Sequence, residues 1–429
     1  MTIDAGYAAP AAQWPDHDGT GHDRAAAGAQ PAERWDMAGL PRGLRLLLAL
    51  ARRIRQGQVT VVVPDGRRYT AAGVEPGRHA VLEVRRSRLA RRVLLGGATA
   101  FAESYVDGDW DSPDPAALMT LALENETAIG RTLDGSPWYR LAGRVIHALR
   151  PNSRAGSRRN IRRHYDLGNA FYAAWLDPGM TYSSAVFSTP EQELGEAQTE
   201  KFRRLADLLD LRPGMRVLEV GCGWGALACH LATHHQCHVT AITVSPAQFA
   251  HATAAVAAAG LADRVDIRLV DYRDVVGSFD RIVSVEMIEA VGERYWPTFF
   301  GQVRDRLVPG GIAAIQAITI DERFFDSYRR SADFIQRHVF PGGMLPSRAA
   351  IRDQTALAGL ALEADIGYGP HYARTLEIWK ARFEAAWPAI AATGFDERFR
   401  RLWHMYLDYC RAGFVAGTID VRHIRLARA

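Results

Sequence analysis

Residues 217–225 read VLEVGCGWG, an apolar run that ends on alternating glycines. The run suits a buried strand, and ALACHLATH after it suits a helix. Between them Gly221, Gly223 and Gly225 let the backbone turn sharply and approach a ligand with no Cβ in the way. Dinucleotide folds use a similar loop, and two details separate this one. The spacing is E-x-G-x-G-x-G, with Glu219 at the strand end, rather than G-x-G-x-x-G. After the second strand stand Thr243, Val244 and Ser245, where a nicotinamide dinucleotide ribose would need Asp or Glu. The loop, Cys222 included, is therefore expected to hold the methionine end of S-adenosylmethionine.

Outward from this loop, strand and helix alternate. Residues 216–220, 238–243, 265–270, 279–285 and 312–318 read as strands, and 226–234, 246–259 and 294–307 as helices. That alternation predicts an α/β, Rossmann-like, doubly wound and mostly parallel sheet. Upstream, residues 37–150 read as a small α+β domain followed by a connector rich in Gly, Pro, Ser and Arg. Residues 1–36, nearly without Leu, Ile or Val, read as a disordered tail. In the small domain LPRGLRLLLALARRIR, residues 40–55, places Leu44, Leu47, Leu48 and Ala51 on one helical face. That face either packs on its own domain or meets a membrane interface or a dimer seam. Strands are expected at 58–63 and 67–70, joined by the turn Pro64-Asp65-Gly66, and at 80–84; residues 88–95 fit a helix or a strand.

The 429-residue chain is 48% hydrophobic and 23% charged, which excludes collagen, coiled coil and wholesale disorder. No apolar run approaches a membrane span, and residues 1–30 lack a signal-peptide pattern. Four cysteines form no pair of CxxC motifs, so neither a metal site nor a disulfide framework is expected and a cytoplasmic location fits. Of 52 Lys and Arg residues only Lys201 and Lys380 are lysine. Arginines cluster at 85–92 and at 150–163, where they can meet phosphates.

From about residue 160 onward the chain resembles the cyclopropane fatty acid synthase family of S-adenosylmethionine-dependent methyltransferases. The resemblance is carried by HYDLGNAFYAAWLDPGMTYSSAVF (164–187), RPGMRVLEVGCGWGALA, ITVSPAQ, DYRDV, FDRIVSVEMIEAVG, FPGGMLPS and the tail FEAAWPAI with FRRLWHMYLDYCRAGF. YVDGDWD at 105–111 is similar to the accessory domain of phospholipid-acting bacterial members. The resemblance implies a seven-stranded methyltransferase domain over 151–429 and an accessory domain that makes lipid or dimer contacts. It implies that Tyr182 and Ser183 sit beside the methyl donor, Thr243 and Gln248 near the ribose, and Tyr272 and Arg273 near the adenine. The substrate it implies is the unsaturated acyl chain of a membrane phospholipid, met by a peripheral protein at the inner face of the cytoplasmic membrane.

In that family an alkene attacks the sulfonium methyl and leaves a carbocation, which aromatic faces stabilise without capturing. Tyr165, Phe171, Tyr172, Trp175 and Phe187 are candidates to line the substrate channel. A base must then remove a proton; the family is thought to use bicarbonate held by Cys, Glu, His and Tyr. Glu289 and Tyr372 match two of these, and Ile318 matches the family's Ile. Ser184 stands in place of the Cys, Ala290 in place of a His after the Glu, and Gln316 in place of the strand His. Ser184 and Gln316 can still donate to an anion. Cyclopropane formation and a methyl- or methylene-branched product both stay open. A nucleic-acid or small-molecule methyltransferase should show an N/DPPY-type or catalytic Cys motif, which is absent, so no nucleic-acid partner is expected.

Overall fold

A computed structural model describes residues 35–129 and 167–429. The connector, the arginines at 150–163 and Tyr165 lie outside them, as does the expected tail apart from Trp35 and Asp36. Those two belong to the small domain rather than to a tail: Trp35 packs on its core, and the Asp36 carbonyl accepts from the Tyr69 hydroxyl at 2.5 Å.

The small domain is built on strands β1 (Gln56–Val62), β2 (Arg68–Ala72), β3 (Glu75–Val84) and β4 (Trp110–Asp111) in the order β2-β1-β3-β4. The expected hairpin joins β1 to β2, with the Gly66 N–H donating to the Val63 carbonyl at 2.8 Å. Helices α1 (Arg42–Ala51), α2 (Arg88–Val106) and α3 (Pro115–Glu124) cover it. The first turn of α2 settles residues 88–95 as helix, broken at Gly97, whose φ of 60° only glycine adopts easily there. On α1 the apolar face turns inward: Leu44 and Leu48 are buried in the core, so the membrane expectation for the Leu44 face does not hold. Burying two leucines is worth about 3 to 6 kcal/mol, which fixes that orientation. The arginines at 85–92 are also largely neutralised within the domain. Asp109, fully buried, pairs with Arg88 at 2.7 Å, Arg92 at 3.0 Å and Arg86 at 3.5 Å, and Arg85 pairs with Glu83 at 2.7 Å. The acidic YVDGDWD motif is thus the counter-charge of this cluster.

The second sheet runs β10-β11-β9-β8-β5-β6-β7. Its strands are β5 (Arg216–Val220), β6 (His238–Thr243), β7 (Val265–Leu269), β8 (Phe279–Val285), β9 (Leu307–Ile320), β10 (Leu360–Gly367) and β11 (Ile419–Arg428). Strands β5 to β9 are parallel, and β11 runs antiparallel between β9 and β10. Helices α4 (Leu194–Leu209), α5 (Ala226–His235), α6 (Pro246–Ala258) and α7 (Trp296–Arg306) flank the sheet. Strand order reverses at β5, which has β8 on one side and β6 on the other. In such sheets the ligand crevice opens at the carboxyl end of the strand where the order reverses, and the glycine loop lies there.

Two long helices, α8 (Gly369–Ala392) and α9 (Glu397–Val415), close the domain, and α9 also joins the two units. Met405 and Ala412 of α9 share the apolar cluster of the small domain. Arg401 donates to the carbonyls of Tyr105 at 2.7 Å and Trp110 at 2.9 Å while its guanidinium lies over the Tyr105 ring.

Candidate active site

The glycine loop is held open by its own backbone. The N–H groups of Gly221 and Cys222 both donate to the Ile242 carbonyl of β6, at 3.0 and 2.9 Å. Gly221 and Gly223 have φ of 86° and 53°, and a Cβ on Gly223 would meet nothing within 4 Å because it points into open cavity. Gly225 differs: a Cβ there would come within 3.0 Å of Ala252, so it serves the packing of α6 and does not line the cavity. Glu219 is buried beneath the loop with Oε2 lacking any hydrogen-bond partner, and burial pushes its pKa up to about 8 against the pull of Lys201. An orphaned carboxyl oxygen at the bottom of a glycine cradle fits a ligand that carries ammonium and sulfonium charge. Thr243 donates to Gln248 at 2.8 Å, and both line the cavity with Tyr272. Arg273 does not line it: its guanidinium is paired with Asp271 at 2.7 Å, and Asp271 takes the lining place.

Next to the loop lies a carboxylate constellation. Glu286 follows β8 in a left-handed conformation, φ 49°, that turns its side chain toward three donors. Its Oε1 accepts from the Ser184 N–H at 2.8 Å and from Gln316 Nε2 at 2.7 Å; its Oε2 accepts from the Tyr372 hydroxyl at 2.7 Å. The amide of Gln316 is oriented by His423, whose Nε2 lies 2.8 Å from Gln316 Oε1 and whose pKa burial depresses to about 3. A neutral His423 donates to Oε1 and so aims Nε2 at Glu286. Burial pushes the Glu286 pKa up, while Ser184, Tyr372, Lys201 and Gln316 pull it down. The net shift is upward, yet every hydrogen-bond partner donates, a geometry that favours the carboxylate as acceptor. Lys201 is fully buried, donates to Ser183 Oγ at 2.7 Å, and is lowered to about 8 by burial.

The positions Ser184, Gln316 and Tyr372 do converge, but on Glu286 and not on Glu289. Ser184 contributes its N–H, since its hydroxyl donates to the Ala185 carbonyl. Glu289 stands apart, accepting from the Ile318 N–H, with Oε2 unpartnered and its pKa raised to about 8 by burial and by Glu286. A bicarbonate ion does not fit this arrangement, because its would-be donors are satisfied by the chain's own carboxylate. Glu286, Lys201 and His423 were not singled out from sequence as site residues. The lysine alone carried a signal, as one of only two in an arginine-rich chain.

Lys201, Glu219, Glu286, Glu289, Ile318, Tyr372 and the glycine loop line one cavity of about 710 Å³, whereas Ser184, Gln316 and His423 do not line it and reach it only through Glu286. Its aromatic lining includes Tyr182, Phe340, Tyr372, Tyr406, Tyr409 and Phe414, and the hydroxyls of Tyr182 and Tyr406 meet at 2.8 Å. Phe171, Tyr172, Trp175 and Phe187 do not line it. They are buried in an aromatic cluster behind Tyr182, where Trp175 packs edge-on against Tyr182 and Trp379, and Phe171 against Trp403. Among the described residues no group of three or more His, Cys, Asp or Glu side chains could hold a metal ion.

A parallel sheet with this reversal, a glycine cradle over a buried acid and an apolar chamber beside it define an S-adenosylmethionine-dependent methyltransferase. The sequence model of the mycolic acid cyclopropane synthetase family matches residues 152–424, and the chain belongs to that family. It is 41% identical over 416 residues to the tuberculostearic acid methyltransferase UfaA1 of Mycobacterium tuberculosis, covering 92% of this chain and 96% of that one. To the cyclopropane-fatty-acyl-phospholipid synthase of Escherichia coli it is 35% identical over 383 residues, 86% of this chain and 95% of that one. Among solved structures, mycolic acid cyclopropane synthase CmaA1, complexed with SAH and CTAB, superposes with a TM-score of 0.60 at 30% identity. It covers 63% of this chain and 98% of its own.

Proposed function

We propose that the enzyme transfers a one-carbon unit from S-adenosylmethionine to the double bond of an unsaturated acyl chain in a membrane phospholipid, and that Glu286 removes the proton. The observation that carries this reading is a buried carboxylate, accepting three hydrogen bonds, at the wall of a mostly apolar and aromatic chamber. Bound at the glycine loop, the cofactor supplies an electrophilic methyl: the alkene π pair forms the new C–C bond, the C–S bond breaks, and S-adenosylhomocysteine leaves. Tyr182, Tyr372, Tyr406 and Phe340 face the resulting cation with π density and exclude water. Glu286 takes the proton, with Ser184, Gln316 and Tyr372 fixing its position.

Loss of a methyl proton directly from the first cation closes a cyclopropane. Loss after a hydride shift leaves an exocyclic methylene, and neither route needs a reductant. We favour the open, methylene-branched product. Support comes from Glu286, which stands in for the anion implied by the cyclopropane pattern, and from the higher identity to the tuberculostearic acid methyltransferase than to the cyclopropane synthase. Ring closure is the second reading, supported by the 35% identity to the phospholipid synthase. No helix among the described residues is long and apolar enough to cross a membrane. A peripheral protein at the inner face of the cytoplasmic membrane fits this and the exposed leucines of the small domain. Lipid mass spectrometry of a bacterium expressing the chain tests the function: acyl chains should gain one CH₂ and keep a double bond that ozonolysis cleaves. Chains gaining CH₂ but resisting ozonolysis would establish the ring, and unchanged lipids would overturn the function.

A further inference from the structure

The chamber does not end at the methyl-transfer site. It continues into the small domain, where its far wall is made by Leu47, Leu50 and Ala51 on the inner side of α1 and by Val93 and Ala98 on α2. Protein cores are close-packed, and an apolar space reaching through a domain's core into a reaction site is a binding space, not a packing fault. The outer surfaces of the same two helices expose Leu46, Leu94 and Leu95, at 55%, 42% and 50%. Arg42, Arg53 and Arg91 are exposed beside them, and no ion pair engages these three among the described residues. Gly97 interrupts α2 between Leu95 and Ala98, with φ 60° and ψ −146°, so the first half of α2 joins the second through a hinge-like break. The solved cyclopropane synthases match only 63% of this chain while being covered almost whole, and the family match begins at residue 152. The small domain is thus an addition to the methyl-transfer unit.

We propose that α1 and the first half of α2 form the port through which a bilayer phospholipid passes its acyl chain, and that the hollow core of the small domain holds the chain segment between head group and double bond. This rests on the acyl-chain reading above. A chain that moves straight from bilayer to apolar passage never exposes its methylenes to water, so the port belongs where exposed leucines touch the membrane. Arginines beside the leucines meet the lipid phosphate there.

Two variants test this on phosphatidylglycerol vesicles carrying palmitoleoyl, oleoyl and cis-vaccenoyl chains. Val93→Trp places an indole in the passage. Gly43→Cys with Ala90→Cys pins α1 to α2, since a Cβ at Gly43 lies 3.1 Å from that of Ala90, close to disulfide reach. The plug should keep vesicle sedimentation, S-adenosylmethionine affinity and thermal midpoint near wild type while turnover falls at least tenfold. The oxidised double-cysteine enzyme should show the same loss, and a reductant should restore it, which controls for misfolding. Full turnover with the plug and the cross-link in place overturns the port and leaves the function standing. A wild-type enzyme that turns over none of these lipids overturns both.

Discussion

Glu286 and Glu289 sit three residues apart and burial raises both, yet only Glu286 is surrounded by donors. Glu286 receives three hydrogen bonds, whereas Glu289 receives the Ile318 N–H and is raised to about 8, which keeps it protonated at neutral pH. Glutamine mimics a protonated glutamate but not a base. Glu286→Gln should therefore lower kcat by about a hundredfold or more with S-adenosylmethionine affinity unchanged, and Glu289→Gln should cost far less. Equal losses in the two variants would return the base to Glu289. The pair also sets a stability slope. A carboxyl raised from 4.5 to about 8 contributes stability that is complete below pH 4.5 and lost as pH rises through about 8. Thermal midpoints of the wild type should fall across that window, and Glu289→Gln should flatten the slope in part, because Glu219 adds a similar one. Sequence singled out Ser184, Gln316 and Tyr372 together with Glu289, but not Glu286, the carboxylate on which their donors converge. Which of two acids three residues apart meets the donors depends on the left-handed turn at Glu286, and no residue pattern announces that turn.

The glycine loop was legible as an element because strand, glycines and helix each have their own period or backbone demand. Its members nonetheless divide into two roles. Gly223→Asp puts a carboxylate into open cavity, so calorimetry should show cofactor binding weakened at least tenfold in a protein that still unfolds cooperatively. Gly225→Val drives a side chain into Ala252 at a backbone φ of 95°, and should lower the thermal midpoint by several degrees. Wild-type affinity in Gly223→Asp would move the cofactor elsewhere. Five of the seven strands in the large sheet follow from their apolar runs. The other two, β10 and β11, escaped because LALEADIG and IDVRHIRLAR mix charge into their strands, the arginines Arg422, Arg425 and Arg428 of β11 being paired or bonded to neighbouring groups. For α1 the amphipathic pattern was plain, but only packing against the small domain's sheet decided that Leu44 and Leu48 face in and Leu46 out.

At the scale of the whole molecule, one largely apolar chamber joins the glycine cradle, the buried Glu286 carboxylate and a second domain whose leucines face outward. The sequence indicated a small α+β domain ahead of a methyltransferase domain, but not that α9 would bind them into one continuous space. In the proposed reaction this chamber adds a one-carbon unit to an acyl double bond and Glu286 takes a proton from the added methyl. Cells expressing the chain and fed methionine with a trideuterated methyl test it most directly. Acyl chains should become heavier by one CD₂, two deuteriums retained and one lost, with the label on an exocyclic alkene carbon by NMR, and the Glu286→Gln variant should yield no labelled lipid. Lipids that retain all three deuteriums, or a Glu286→Gln variant that labels them as well as wild type, would contradict it.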